Sequence, residues 1–151
     1  MTVRTVAFCL GTSVLALATP SVAQPPTSAT CDILEVSGTT EKTPMTDNEL
    51  KPLEKRLKKA AGGANSFKQL SRQSVPLAAN KPKTSPLKSG STELMLRSRK
   101  PSHFELTISI DDASGKRWLN GSQLGVDGGD WLMFAHDAAN NAAHLVAVTC
   151  K

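Results

Sequence analysis

The stretch HFELTISID, residues 103–111, decides the fold class. Its apolar side chains alternate strictly with polar ones, and the apolar positions are Phe104, Leu106, Ile108 and Ile110. Successive side chains of a β-strand point to opposite faces, so this alternation predicts a strand with one buried face and one hydrated face. Strands of this kind are typical of antiparallel sheets that cover a core on one side.

Shorter apolar runs surround this strand, and turn signals separate them. The runs cover residues 31–39, 66–78, 91–98, 117–124, 131–136 and 144–150. The turn signals are Gly115, the dipeptide Asn120-Gly121 and the segment VDGGD at 126–130. Asn-Gly is a strong signal for a two-residue hairpin turn. The pattern predicts about six to seven mostly antiparallel strands that form a β-sandwich or a barrel.

One segment has helical spacing instead, namely TDNELKPLEKRLKKAAGG at residues 46–63. The residues that share its apolar face are Leu50, Leu53, Leu57 and Ala60 or Ala61. Pro52 leaves two interpretations, because it either kinks this helix or marks a later start near Lys51. We therefore expect one amphipathic helix near the N-terminus, covering about residues 50–61, and an α+β fold that is mainly β.

The start of the predicted helix carries two local signals. Thr46 and Glu49 have the spacing of a capping box, and Met45 with Leu50 has that of a hydrophobic staple. Both signals predict that the helix begins at Thr46.

The N-terminal residues predict export. One basic residue, Arg4, precedes a short apolar run, and small residues follow it up to Ala23, as in a secretory signal peptide. We expect a signal peptide at 1–23, a flexible Pro/Ser/Thr-rich tether at 24–30 and a single globular domain at 31–151. The mature protein is then periplasmic or extracellular and has no transmembrane segment.

Two cysteines remain after the predicted cleavage, Cys31 and Cys150. An exported chain meets an oxidising compartment, where an even pair of cysteines forms a disulfide. The alternative, two free thiols or a metal pair, lacks the other ligands that zinc requires. A Cys31–Cys150 bridge requires the first and last strands of the domain to be neighbours.

The order of these elements resembles that of small uncharacterised exported proteins of bacteria. The segments that carry the resemblance are ELKPLEKRLKK at 49–59, SFKQLSRQ at 66–73 and FELTISIDDASGKR at 104–117. It spans most of the predicted mature chain. Those proteins have no assigned activity, so the resemblance implies no catalytic residue.

The predicted helix has a basic face formed by Lys51, Lys55, Lys58 and Lys59. One interpretation is the solvated side of a helix that lies on a sheet, with Glu54 placed to pair with Lys58. A second is a surface for weak peripheral binding to anionic headgroups. Nucleic acid is a poor third, because an exported protein seldom meets it.

Histidines and carboxylates give little support for metal binding or catalysis. His136 and His144 bracket one loop, where they form either a surface metal site or two solvent-facing side chains. The segments DDASG and DGGD predict turns rather than calcium loops. Polar residues on the hydrated face of the 103–111 strand are about 7 Å apart, too far for direct relay hydrogen bonds. These polar residues are His103, Glu105, Ser109 and Asp111.

The two tryptophans, Trp118 and Trp131, lie in strand-like runs. We interpret both as core residues, and an exposed one would indicate a binding face.

Together these features predict an exported, non-enzymatic binding or accessory protein without a cofactor or a nucleic-acid ligand. Its partner is a protein or a component of the cell envelope. One alternative is an inhibitor of a secreted hydrolase that uses the basic, Pro-rich loop at 80–90. Others are anionic-surface binding through the Lys-rich helix 50–61 and a small hydrolase with His103 or His136 as its base.

Overall fold

The computed structural model describes residues 28–138 and 142–151. The predicted signal peptide at 1–23 and most of the predicted tether lie outside this part of the chain. The strands are β1 (Ser28–Thr39), β2 (Ser66–Ala78), β3 (Lys83–Leu87), β4 (Gly90–Lys100), β5 (His103–Asp112), β6 (Arg117–Asp127), β7 (Leu132–Asp137) and β8 (Ala143–Cys150). A 3-10 segment at Asn48–Leu53 continues into helix α1 at Glu54–Ala60.

The strands form two four-stranded antiparallel sheets. The first sheet has the order β2-β1-β8-β7 and the second has the order β3-β4-β5-β6. The mainly β fold with one helical segment is confirmed, and of the two predicted architectures the structure shows the sandwich. The strand β1 begins at Ser28, so the last three residues of the predicted tether belong to the first sheet.

Eight strands are described rather than six to seven, because the predicted loop 80–90 contains β3. The prediction of a loop was wrong for Lys83–Leu87, which pairs with β4. Pro86 is compatible with this strand because β3 lies at the edge of the second sheet, where the missing N–H of proline breaks no ladder.

The dipeptide Asn120-Gly121 lies inside β6, so the hairpin turn predicted there is wrong. Ile108 pairs with Ser122 and Ile110 with Leu119, which leaves Asn120-Gly121 as a bulge. Gly121 has φ +57°, and its N–H donates to Ser109 Oγ at 2.9 Å. Positive φ suits a bulge as well as a hairpin turn, so the dipeptide alone does not distinguish the two. The turns predicted at Gly115 and at 126–130 are present.

The central core lies between the two sheets. The inward residues of β5 that the alternation predicted are at most 2% exposed. Their partners in the central core include Ile33 and Cys31 of β1, Leu94 and Leu96 of β4, and Val146 and Val148 of β8. This arrangement confirms the buried face expected of residues 103–111.

A second core lies on the outer face of the first sheet and is covered by the helical segment; we call it the helix-side core. Leu50 and Leu57 are fully buried there against Leu34, Phe67 and Leu145. The apolar face of the predicted helix is thus confirmed. Because residues of β1 contribute to both cores, this strand is buried on both faces.

The helical segment begins at Asn48, but the capping box and the hydrophobic staple predicted at its start are wrong. Pro52 lies in the 3-10 segment. The α-helix itself begins at Glu54, after both Thr46 and Lys51, the two residues at which a start was predicted. A proline inside a helix lacks the N–H that an α-helical bond needs, which favours a tighter turn before the α-helix. Thr46 forms an isolated bridge with Phe67 instead of a cap, and Met45 is 77% exposed instead of forming a staple.

The predicted disulfide joins β1 and β8. Cys31 lies directly opposite Cys150 in the ladder, their Cα atoms are 4.0 Å apart, and both residues are buried. The first and last strands of the domain are therefore neighbours, as the cysteine positions predicted.

Removal of this bridge should lower stability strongly, because it closes a separation of 119 residues. We expect the double substitution Cys31→Ala/Cys150→Ala to lower the free energy of unfolding by about 4–5 kcal/mol, through a larger conformational entropy of the unfolded chain. Guanidinium unfolding of both proteins measures the difference. The wild type in reductant serves as a control and should match the variant; a loss under about 1 kcal/mol would contradict the expectation.

Candidate functional site

The most buried carboxylate among the described residues is that of Glu35. This residue lies in β1 and has no exposed surface. Its oxygens accept hydrogen bonds from Ser71 Oγ at 2.7 Å, from the N–H of Lys88 at 2.7 Å and from the N–H of Ser89 at 2.8 Å. His144 Nε2 lies 3.0 Å from the other side of the same carboxylate. We call these five residues the Glu35 cluster.

The electrostatics of the cluster favour an ionised Glu35. Burial raises the pKa of its carboxyl group, but the hydrogen bonds from His144, Ser71 and the two backbone N–H groups outweigh burial and lower the pKa to about 2. An anion with four donors around it has little capacity left for a ligand or a proton. The cluster therefore acts as a clamp between β1, β2, β8 and the β3–β4 turn.

Ser71, Glu35 and His144 do not form a nucleophilic triad. In such a triad the histidine stands between the nucleophile and the carboxylate, so that it can take the proton of the hydroxyl group. Here the carboxylate stands between the other two, and the hydroxyl group of Ser71 donates to Glu35. This arrangement holds Ser71 in place and does not activate it.

The two histidines that bracket the last loop do come together. His136 is directly opposite His144 in the β7–β8 ladder. The ring of Trp118 lies 5.2 Å from the ring of His136 and 6.3 Å from that of His144. Within 28–138 and 142–151, no group of three or more His, Cys, Asp or Glu side chains could hold a metal ion.

The segments considered for calcium are turns. Asp112 accepts hydrogen bonds from Ser114 N, Ser114 Oγ and Lys116 N, all within the 112–116 turn. These hydrogen bonds, that from the Ser114 hydroxyl first, lower the pKa of Asp112. Asp130 N–H donates to Asp127 O in the turn at 127–130. The carboxylate of Asp112 thus accepts hydrogen bonds from within its own turn.

A shallow groove of about 490 Å³ lies on the outer face of the second sheet and contains His103. His103 Nδ1 is 2.8 Å from Asp127 Oδ1, and the ring lies over Gly125, where an added Cβ atom would come within 2.7 Å of it. The nearby hydroxyl group of Ser98 donates to Glu105 at 2.8 Å. A histidine with a carboxylate partner thus lines the groove, but the Ser98 hydroxyl group is directed to Glu105.

The structure places all four predicted lysines on the exposed side of the helical segment. We call Lys51, Lys55, Lys58 and Lys59 the Lys-rich face. Lys58 pairs with Glu54 at 2.6 Å, as its i,i+4 spacing predicted. Among the described residues, the other three lysines have no acidic partner within 4.0 Å.

One feature beside this face could not be predicted from helical spacing. Arg56 of α1 pairs with Asp130 and also donates to the carbonyl oxygen of Trp131 at 3.5 Å. The pKa of Asp130 lies below its usual value because Arg56 donates to its carboxylate. This contact attaches the helix to the turn before β7, and it brings Trp131 beside the helix in a groove of about 420 Å³.

The segment predicted as an inhibitory loop has little freedom to protrude. Within 80–90, residues Lys83–Leu87 form β3, and the N–H groups of Lys88 and Ser89 are both directed at Glu35. The turn that follows β3 is therefore held against the body of the sandwich.

Comparison of the chain with protein-family models, with curated proteins and with solved structures finds no match. No helix in the described ranges is both long enough and apolar enough to cross a membrane. The resemblance to small exported bacterial proteins stays a prediction.

The Glu35 cluster makes stability depend on pH in the acid range. The folded pKa of about 2 is below the ordinary value of 4.5, so the cluster stabilises the fold above about pH 4.5 and loses this contribution as the pH falls towards 2. The full loss is about 3 kcal/mol. Denaturant unfolding at pH 7, 5, 4 and 3 should show about 2 kcal/mol of this loss by pH 3 for the wild type.

Glu35→Gln should remove this pH dependence and lower stability at pH 7 by about 3–5 kcal/mol, because the buried donors lose their anion. Glu105→Gln on the exposed sheet face is the matched control and should behave like the wild type. Equal acid sensitivity of Glu35→Gln and the wild type would show that Glu35 does not cause it.

Proposed function

We propose that the protein is an exported, non-enzymatic binding or accessory protein of the periplasm or the extracellular space, and that the Lys-rich face is its binding surface. The ligand class is an anionic surface of the cell envelope. The predicted signal peptide and the buried Cys31–Cys150 bridge support export, since such bridges persist in oxidising compartments.

The non-enzymatic part of the proposal is supported by how two of the three histidines are used. His144 contacts the saturated carboxylate of Glu35, and His103 contacts Asp127 on an open sheet face. Ser71 and Ser98, which lie near these pairs, both donate their hydroxyl groups to carboxylates. General-base activation of a serine needs a hydroxyl group that donates to the histidine.

The observation that carries the binding proposal is a set of exposed lysines on a firmly packed helical segment, three of which have no acidic partner among the described residues. Lys51, Lys55 and Lys59 are exposed, whereas Leu50 and Leu57 on the opposite side are fully buried. The lysines therefore project from one short rigid element instead of a loose loop. Each lysine near an anionic membrane surface contributes about 1 kcal/mol, so four give weak, salt-sensitive, peripheral binding.

The charge distribution along the chain agrees with this surface. Residues 24–100 contain 14 basic and 7 acidic residues, whereas residues 101–151 contain 3 basic and 6 acidic residues. The helical segment lies in the basic part. The excess of basic residues in this part of the chain favours attraction of the protein to an anionic surface.

Vesicle sedimentation tests the proposal. Vesicles with anionic phosphatidylglycerol should retain the protein at low ionic strength and release it as salt rises, because the Debye length shrinks from about 30 Å at 0.01 M to about 8 Å at 0.15 M. Neutral phosphatidylcholine vesicles should not retain it. Replacement of Lys51, Lys55, Lys58 and Lys59 by Gln should reduce retention at low salt at least tenfold, the equivalent of about 1.4 kcal/mol.

The matched control replaces four exposed lysines elsewhere, namely Lys81, Lys83, Lys100 and Lys116, by Gln. It changes the net charge equally and should keep most of the retention. Retention that is unaffected by the helix substitutions, or reduced equally by both sets, would refute the Lys-rich face as the binding surface.

A further inference from the structure

We propose that the groove beside the helix is the apolar half of the same site, and that it takes an acyl-chain region of an anionic phospholipid in a bilayer. We call this the Trp131 groove; it is lined by Arg56, Lys59, Ala60, Asp130, Trp131 and Met133. The inference rests on the proposed function and adds the chemical class of the ligand. The ligand is an amphiphile, with an anionic headgroup and an apolar chain, and not simply a polyanion.

The first argument is the position of Trp131. It is half-buried: it packs against the helix-side core and also lines the groove. The helical segment itself carries no aromatic residue, although helices that lie in a membrane interface favour tryptophan or phenylalanine on their apolar side. The turn before β7 supplies the aromatic ring that the helix lacks, and tryptophan is enriched at membrane–water interfaces.

The second argument is how the groove is held open. Arg56 reaches from α1 to Asp130 and to the carbonyl oxygen of Trp131, so the two walls of the groove are linked by a charge-assisted contact. Met133 on β7 lies beside Trp131 and packs on the same core. The walls are therefore positioned without a ligand, and Met133 adds an adaptable apolar surface.

The third argument is charge complementarity. Asp130 is paired with Arg56, so the acidic charge at the groove is matched by a cation of the protein itself. Lys59 lines the groove, and Lys55 lies one helical turn before it; both are exposed. An anionic headgroup can thus contact the lysines while the adjoining chain region contacts Trp131 and Met133. A soluble polyanion would satisfy only the lysines.

Fluorescence of Trp131 tests the inference directly. The chain has two tryptophans and no tyrosine, so Trp118→Phe leaves Trp131 as the only strong emitter. On phosphatidylglycerol vesicles at low salt, we expect its emission to shift to shorter wavelength and to be quenched by brominated acyl chains. Trp131→Gln in the otherwise wild-type chain should weaken vesicle partitioning by about tenfold. Should Trp118→Phe fail to fold, the difference between wild-type and Trp131→Phe spectra gives the same information.

The outcomes separate the inference from the proposed function. Salt-dependent retention without a change in Trp131 emission would overturn the groove and leave the Lys-rich face standing. Absence of retention would overturn both. A shift produced by inorganic phosphate or by a soluble sulfated polysaccharide would overturn the bilayer as the occupant. A shift that grows with protein concentration without vesicles would assign the groove to a second copy of the chain.

Discussion

The carboxylate of Glu35 is the contact on which the arrangement of the sandwich depends. It lies on β1, the strand that contributes to both cores, and it binds groups from β2, β8 and the β3–β4 turn. A buried anion is unfavourable unless hydrogen-bond donors surround it. Glu35 therefore stays ionised only while its four donors are in place, and the donors stay in place because they bind the anion. The Cys31–Cys150 bridge ties the same strand to β8 nearer its start.

The features of the fold that could be predicted from the sequence are those that depend on side-chain periodicity and on the pairing of the cysteines. Alternation in 103–111 indicated the inward face of β5, the leucines indicated the buried side of the helical segment, and the cysteines indicated that β1 and β8 are neighbours. Each of these signals is local or has few alternatives. The bulge at Asn120-Gly121 could not be distinguished from a hairpin turn, because both use positive φ at glycine.

The candidate site was predicted only in part, for a related reason. The exposed lysines follow from helical spacing, but the position of Trp131 beside them depends on the contact of Arg56 with Asp130, which are 74 residues apart. Glu35 left one sequence signal, a single carboxylate within the apolar run ILEV at 33–36. A charge in a strand that is buried on both faces requires partners, but the run alone does not identify them.

Amide hydrogen exchange at Lys88 and Ser89 tests the central claim most directly. Both N–H groups belong to a turn, yet they donate to a fully buried carboxylate. If the clamp exists, these two amides exchange as slowly as amides of the central strands, through opening of the sandwich. If they exchange as fast as exposed turn amides while β1 stays protected, the buried-anion account of this fold is contradicted.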